Sequence, residues 1–279
     1  MEARSKSPLS SREHLEKLVS LFLSKAWLSD VRTETTYLFD EAACPDEEKL
    51  LLHLIDKFEF VSFDDVQNEL GVVLESLFQK WHITPAETIV TTLSRDDRAD
   101  SGETLLGLLR KNFVKLGLNR DQLVSKLSAA PGYINAGSNT LVIVDDFTGT
   151  GKSLERKLNW LKSKVSSNEL RIFYICTASM TEAKSRLEHY PNGYYVHRWL
   201  KKGISDYFTN QELIRNKKLM LRLESQLPPY ITRKFSFGFG KSETLYNFCN
   251  QTSPNNVFPI FWCDKFSDET NRPVMFPRR

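Results

Sequence analysis

Two adjacent carboxylates, Asp145 and Asp146, follow an apolar run and precede a stretch of hydroxyl residues and glycines, Thr148-Gly149-Thr150-Gly151-Lys152-Ser153. Carboxylates accept hydrogen bonds from vicinal hydroxyls. A glycine-rich turn lets the backbone approach a ligand closely, and a helix start after it presents unpaired N–H groups to an anion. Acid pair and turn together suit a sugar phosphate, with Asp145 and Asp146 on the ribose hydroxyls and residues 148–153 on the 5-phosphate. A plain strand end followed by a turn is the simpler alternative. A degenerate P-loop NTPase is another, since Gly151-Lys152-Ser153 matches the end of Gly-x-x-x-x-Gly-Lys-Ser. The place of the first glycine in that pattern is held by Asp146, whose charge would repel a β-phosphate.

The elements that must position these groups read as a parallel α/β sheet. Leu141-Val142-Ile143-Val144 is a continuous apolar run, expected to end a strand buried on both faces and to lead into a helix over about 153–165. Residues 88–93 form a shorter, β-branched strand followed by a polar loop and a helix from Glu103. Residues 170–176 read as a further buried strand, with a helix over 181–189 and a short strand at 194–196. Strands alternating with helices imply parallel pairing, and such sheets place ligands at the carboxyl ends of their strands. At the loop of residues 94–104, Arg98 and the backbone amides of Ser101 and Gly102 are candidate anion contacts. A solvated loop with a helix cap fits those residues equally well. Residues 127–139, with Pro131, Gly132 and Gly137, have the composition of a mobile loop or of a plain connection.

On either side of this core the texture differs. Residues 11–81 are helical by pattern, with Leu15, Leu18, Val19, Phe22 and Leu23 at helical spacing, and Pro45-Asp46-Glu47-Glu48 is a typical helix start. Beyond residue 204 come a basic helix (211–227), a Pro228-Pro229 break and an aromatic tail rich in glycine and proline. The expected organisation is a helical region over 1–83, a core over 84–203 and an accessory segment over 204–279. In the tail, Asn255 and Asn256 follow the turn at Pro254. Each carboxamide can donate and accept, which suits a base edge, or equally a turn held by its own side chains.

Composition excludes several classes. The 279 residues are 41% hydrophobic and 26% charged with a net charge of +3, so the chain is no polycation that binds nucleic acid by charge alone. The basic, aromatic stretch of residues 197–222 reads as a solvated helix face, with a nucleic-acid or protein contact as the alternative. Cys44, Cys176, Cys249 and Cys263 form no C-x-x-C pair, which argues against structural zinc or a disulfide framework and for a reduced, cytoplasmic setting. No apolar run approaches the roughly 18 residues of a membrane span, and none of the five histidines has metal-ligand spacing.

The segment from Val144 to Leu154 resembles the signature of type I phosphoribosyltransferases: a hydrophobic strand, Asp-Asp, two apolar or small residues, then a Thr/Gly/Ser-rich turn. That resemblance implies a three-layer α/β core with a C-terminal hood, and phosphoribosyl pyrophosphate or a nucleotide as ligand. It gives Asp145 and Asp146 the ribose hydroxyls and residues 148–153 the 5-phosphate. Mg²⁺ would bridge pyrophosphate and ribose oxygens while a nitrogen nucleophile displaces pyrophosphate. The Phe147-Thr148-Gly149-Thr150-Gly151 form of the motif, residues 238–245 and 250–262, and the helical N-terminal region together resemble a divergent bacterial group of phosphoribosyltransferase-like proteins linked to conflict and phage-defence loci. A non-catalytic nucleotide-sensing or effector subunit would use the same pocket.

Overall fold

The computed structural model describes residues 11–94, 101–166, 169–249 and 251–278. The chain divides into two units. One comprises Met1–Phe60, Lys201–Asn247 and Thr252–Arg279, and the other Val61–Leu200 with Phe248–Gln251.

The first unit starts with three helices, α1 (Arg12–Ser24), α2 (Arg32–Asp40) and α3 (Pro45–Lys57). Ser11 caps α1 by accepting the His14 amide at 3.1 Å. In α3, Pro45 sits in the first turn with Asp46, Glu47 and Glu48 at the positive end of the helix dipole. Leu50, Leu51, Leu54 and Ile55 of α3 are almost wholly buried.

The second unit holds the site. Ser62 and Asp65 form a capping box, and a π-helical turn, Val66–Leu70, leads into α4 (Gly71–Lys80). The chain then alternates: β1 (Thr88–Thr92), α5 (Ser101–Lys115), β2 (Leu123–Val124), α6 (Ala130–Asn135), β3 (Thr140–Thr148), α7 (Lys152–Lys162), β4 (Arg171–Met180), α8 (Lys184–His189) and β5 (Gly193–Leu200). All five strands pair in parallel in the order β2-β1-β3-β4-β5. Period-two alternation sends Leu141, Ile143, Ile172 and Tyr174 to one face, where they pack with Leu154, Leu158 and Leu161 of α7 and Leu187 of α8. On the other face Trp81 stacks on Phe173 at 4.9 Å between ring centroids, and Phe113 of α5 meets Phe78 of α4. Both faces are covered, as a parallel sheet requires.

The chain then returns to the first unit with α9 (Asn210–Glu224) and α10 (Pro229–Phe235). Leu219, Met220 and Leu223 of α9 share one core with α1–α3 and with Val257, Phe258, Ile260 and Phe261.

Three differences from the sequence reading are physical. The motif strand does not end at Val144 but continues to Thr148, because the ladder with β4 supplies partners for Asp145, Phe147 and Thr148. Residues 127–139 are largely helical: a short 3-10 turn, Leu127–Ala129, runs into α6 with Pro131 in its first turn, and Leu127, Ala130 and Ile134 are buried in the core. The helix-to-strand change near residue 84 falls inside the second unit, since residues 61–83 belong with the sheet.

Candidate functional site

The strand order reverses direction between β1 and β3. The chain steps outward from β1 to β2, then crosses back to place β3 on the other side of β1, and such a switch point opens a crevice at the carboxyl ends of the strands. The register deepens it. Thr92, the last residue of β1, pairs with Val144, so β3 runs four residues beyond its neighbour. Those four are Asp145, Asp146, Phe147 and Thr148, of which Asp145, Phe147 and Thr148 pair with β4. The overshoot sets residues 145–148 at the carboxyl end of the sheet, beyond the last residue of β1.

The turn after β3 pivots on a glycine. Gly151 caps α7 with φ of +75°, a left-handed conformation that glycine adopts without penalty, and a Cβ there would lie 3.1 Å from Cβ of Arg186. Arg186 in turn donates to the carbonyl of Thr150 at 3.0 Å and to Glu155 Oε2 at 2.9 Å. The Tyr190 hydroxyl donates to Oε1 of Glu155, and these two donors hold its carboxyl below the ordinary range. Glu155 thus lies in the first turn of α7 with its charge offset locally. Thr150 is half-buried, whereas Lys152 and Ser153 are exposed at the helix start. With these two residues α7 is eleven residues long, so its first turn carries a positive potential.

Beneath the crevice lies a group that sequence reasoning missed. Tyr174 of β4 is wholly buried, donates to Asp145 Oδ2 at 2.7 Å and sits 2.5 Å from Thr148 Oγ1. Burial first, and then the Asp145 carboxylate, pushes the phenol well above its usual range, so it stays protonated. Cys176 lies alongside, its Sγ 3.6 Å from Thr148 Oγ1 and 3.0 Å from the Ala178 carbonyl. Burial, followed by Asp145, also pushes its thiol up, so it is no nucleophile. Only the strand pairing of residue 143 with 174 and of 145 with 176 brings these groups together, and a sequence pattern carries no such register.

Other expected residues fall in different places. Ser101 and Gly102 form the first turn of α5, after the loop that follows β1, while Arg98 lies outside the described residues. On either side of that loop's undescribed part, Lys157 of α7 donates to the Leu93 carbonyl, and Ser94 donates to Glu103 at 3.3 Å. Asn255 and Asn256 belong to the first unit. The Asn256 amide donates to the Phe239 carbonyl at 3.3 Å and to Ser242 at 3.2 Å, while the Asn255 carbonyl accepts the Phe239 amide at 2.7 Å. Within the basic stretch much of the charge is met by carboxylates: His197 and Arg198 meet Glu69, Arg215 meets Asp46, and Arg222 meets Glu47. A groove of about 460 Å³ lined by Lys162, Leu170, His189 and Asn192 opens beside Leu170, before the first residue of β4. It therefore lies at the amino edge of the sheet, away from the crevice.

Among the described residues no group of three or more His, Cys, Asp or Glu could hold a metal ion unaided. Asp145 and Asp146 would suit the other way of holding Mg²⁺, through one or two carboxylates and the phosphates of a ligand. No helix among the described residues is long and apolar enough to cross a membrane.

Adjacent carboxylates and a glycine-capped helix at the switch point of a five-stranded parallel sheet define an α/β protein of the phosphoribosyltransferase type. The chain belongs to the PRTase-CE family, whose profile matches residues 24–278. A search of curated proteins gave no match. Among solved structures, the xanthine-guanine-hypoxanthine phosphoribosyltransferase of Helicobacter pylori is 16% identical with a TM-score of 0.36, over 53% of this chain and 93% of that one. A hypothetical protein from Neisseria gonorrhoeae with bound ppGpp is 11% identical with a TM-score of 0.36, over 58% of this chain and 96% of that one.

Proposed function

We propose that this protein binds phosphoribosyl pyrophosphate, or a related ribose 5-phosphate compound, in the crevice between β1 and β3, and that it is a phosphoribosyltransferase acting on a nitrogen nucleophile in a defence context. The overshoot of β3, which sets Asp145 and Asp146 directly ahead of the Gly151-capped helix, carries the reading. In it the carboxylates accept from the 2- and 3-hydroxyls of the ribose, while the Thr150 and Ser153 hydroxyls and the first amides of α7 receive the 5-phosphate. That phosphate lies away from the bond that breaks, so its binding energy serves to orient the anomeric carbon. A bond forms from nitrogen to the anomeric carbon as the bond to the pyrophosphate oxygen breaks, and the nucleophile gives up a proton. Bound Mg²⁺ would neutralise the charge that collects on the leaving pyrophosphate.

Calorimetry with phosphoribosyl pyrophosphate and Mg²⁺ tests the ligand. Asp145→Asn and Asp146→Asn should each weaken binding by about tenfold or more, the loss of a charge-assisted hydrogen bond. A folded wild-type protein that takes up no ligand at millimolar concentration overturns the assignment. Pyrophosphate release with candidate nitrogen acceptors separates an enzyme from a nucleotide-sensing subunit that uses the same pocket.

The P-loop alternative makes the opposite demand on one residue. Lys152 is exposed at the helix start, and Asp146 stands where that loop needs glycine. Lys152→Ala should therefore change phosphoribosyl pyrophosphate affinity by no more than a few fold, as a peripheral charge does. ATP hydrolysis by the wild type that this substitution abolishes would reverse the order of the two readings.

A further inference from the structure

We infer that Tyr174 is a positioning residue of the proposed site: its buried hydroxyl joins the half-buried Asp145 carboxylate to the Thr148 hydroxyl in one hydrogen-bond chain. This assignment rests on the ribose 5-phosphate reading given above and adds to it a residue outside the motif.

The direction of the chain follows from counting hydrogens. An ionised carboxylate only accepts, so the bond at 2.7 Å between Tyr174 and Asp145 Oδ2 uses the single phenolic hydrogen. The phenolic oxygen is then left to accept. Thr148 Oγ1, 2.5 Å away, has one hydrogen, and that hydrogen is committed to Tyr174. Cys176 lies within hydrogen-bonding reach of the phenol as well, but its own hydrogen is placed to donate to the Ala178 carbonyl at 3.0 Å. Tyr174 and Cys176 have no solvent exposure and Thr148 has 5%, so no bulk water replaces a lost partner.

Two consequences follow. The half-buried Asp145 carboxylate cannot rotate without breaking a charge-assisted bond to a wholly buried phenol, so its orientation toward a ribose is set before ligand arrives. Thr148, whose motif position would make it a phosphate donor, instead closes the chain, which leaves phosphate donation to Thr150, Ser153 and the α7 amides. Recognition of the ribose and the path of the phosphate turn are thereby linked through one hydroxyl.

The experiment is a set of binding cycles with phosphoribosyl pyrophosphate and Mg²⁺, each variant first confirmed folded by circular dichroism and urea unfolding. Tyr174→Phe keeps the ring and should weaken affinity about tenfold, the equivalent of one hydrogen bond to a charged group. In an Asp145→Ala background the same substitution should cost no further affinity, because the group it acts through is gone. Thr148→Val should reproduce the loss, and Thr148→Ser, which restores the hydroxyl, should recover most of it. A Tyr174→Phe protein that is less stable in urea but binds as tightly as wild type makes the residue merely structural and overturns the proposal. So does a loss that is undiminished in the Asp145→Ala background, or a Thr148→Val penalty that persists in full beside Tyr174→Phe, since that marks Thr148 as a direct phosphate ligand. If the wild type itself binds no ligand, the ribose 5-phosphate reading fails first and this role with it. If the wild type binds and the cycles are additive, only the role of Tyr174 fails.

Discussion

At the scale of single residues, buried ionisable groups outside the crevice respond to pH in a way that can be worked out. Glu224 of α9 is 1% exposed, and burial pushes its carboxyl from the ordinary 4.5 up to about 7, although Ser236 donates to it at 2.5 Å and the Phe237 amide at 2.9 Å. Its folded form holds a proton that the unfolded chain has already released. Folding therefore loses stability as pH rises from about 4.5 to about 7, and the full span corresponds to about 3 kcal/mol. Glu224→Gln cannot ionise, so its stability relative to wild type should improve between pH 5 and pH 8. Urea unfolding at both values checks this, and a difference between the two proteins that does not change with pH would count against it.

Secondary-structure elements set the precision of the crevice. The turn between β3 and α7 depends on Gly151 both for its positive φ and for the close approach of Arg186 on α8. Gly151→Ala would force an L-residue into the left-handed region at about 1–2 kcal/mol and push Cβ against the Arg186 side chain. The expected result is a drop in melting temperature of several degrees together with weaker phosphoribosyl pyrophosphate binding. A Gly151→Ala protein with wild-type affinity would show that the turn tolerates displacement and does not itself contact the phosphate. The same element explains why α8, only six residues long, belongs to the site: it carries Arg186, which holds the Thr150 carbonyl.

For the molecule as a whole, one buried ion pair joins distant parts of the sequence. Arg272 is 3% exposed and donates from Nε and Nη2 to the two oxygens of Glu41 at 2.6 and 2.8 Å. Its guanidinium also donates to the carbonyls of Ile260 and Cys263. The pair closes the first unit, whose core is assembled from α1–α3 near the start of the chain and the aromatic segment near its end. Burial pushes the Glu41 carboxyl up, and the Arg272 charge opposes that rise. Arg272→Ala would strand Glu41 without its counter-charge, at a cost of about 3–5 kcal/mol. Calorimetric or urea unfolding measures it, and a loss below about 1 kcal/mol would mean that water or protonation relieves Glu41 when Arg272 is removed.

Local information was enough for the alternation of strands and helices after residue 84 and for the acid pair with its glycine turn. Both are written in contiguous residues: a run such as Leu141-Val142-Ile143-Val144 is readable because a strand covered on both faces needs apolar side chains at every position. Other features depend on residues far apart in the chain and have no such mark. The continuation of β3 through Asp145 to Thr148 required the β4 ladder, and the burial of residues 127–134 required the core beneath them. Tyr174 appears in sequence as one more strand aromatic, and only the register that pairs its strand with β3 turns it into the partner of Asp145 and Thr148. The union of the first sixty residues with the last eighty likewise comes from apolar faces that could each be recognised locally. Hydrophobic attraction between such faces is non-directional, so which face meets which is settled by packing within the complete fold.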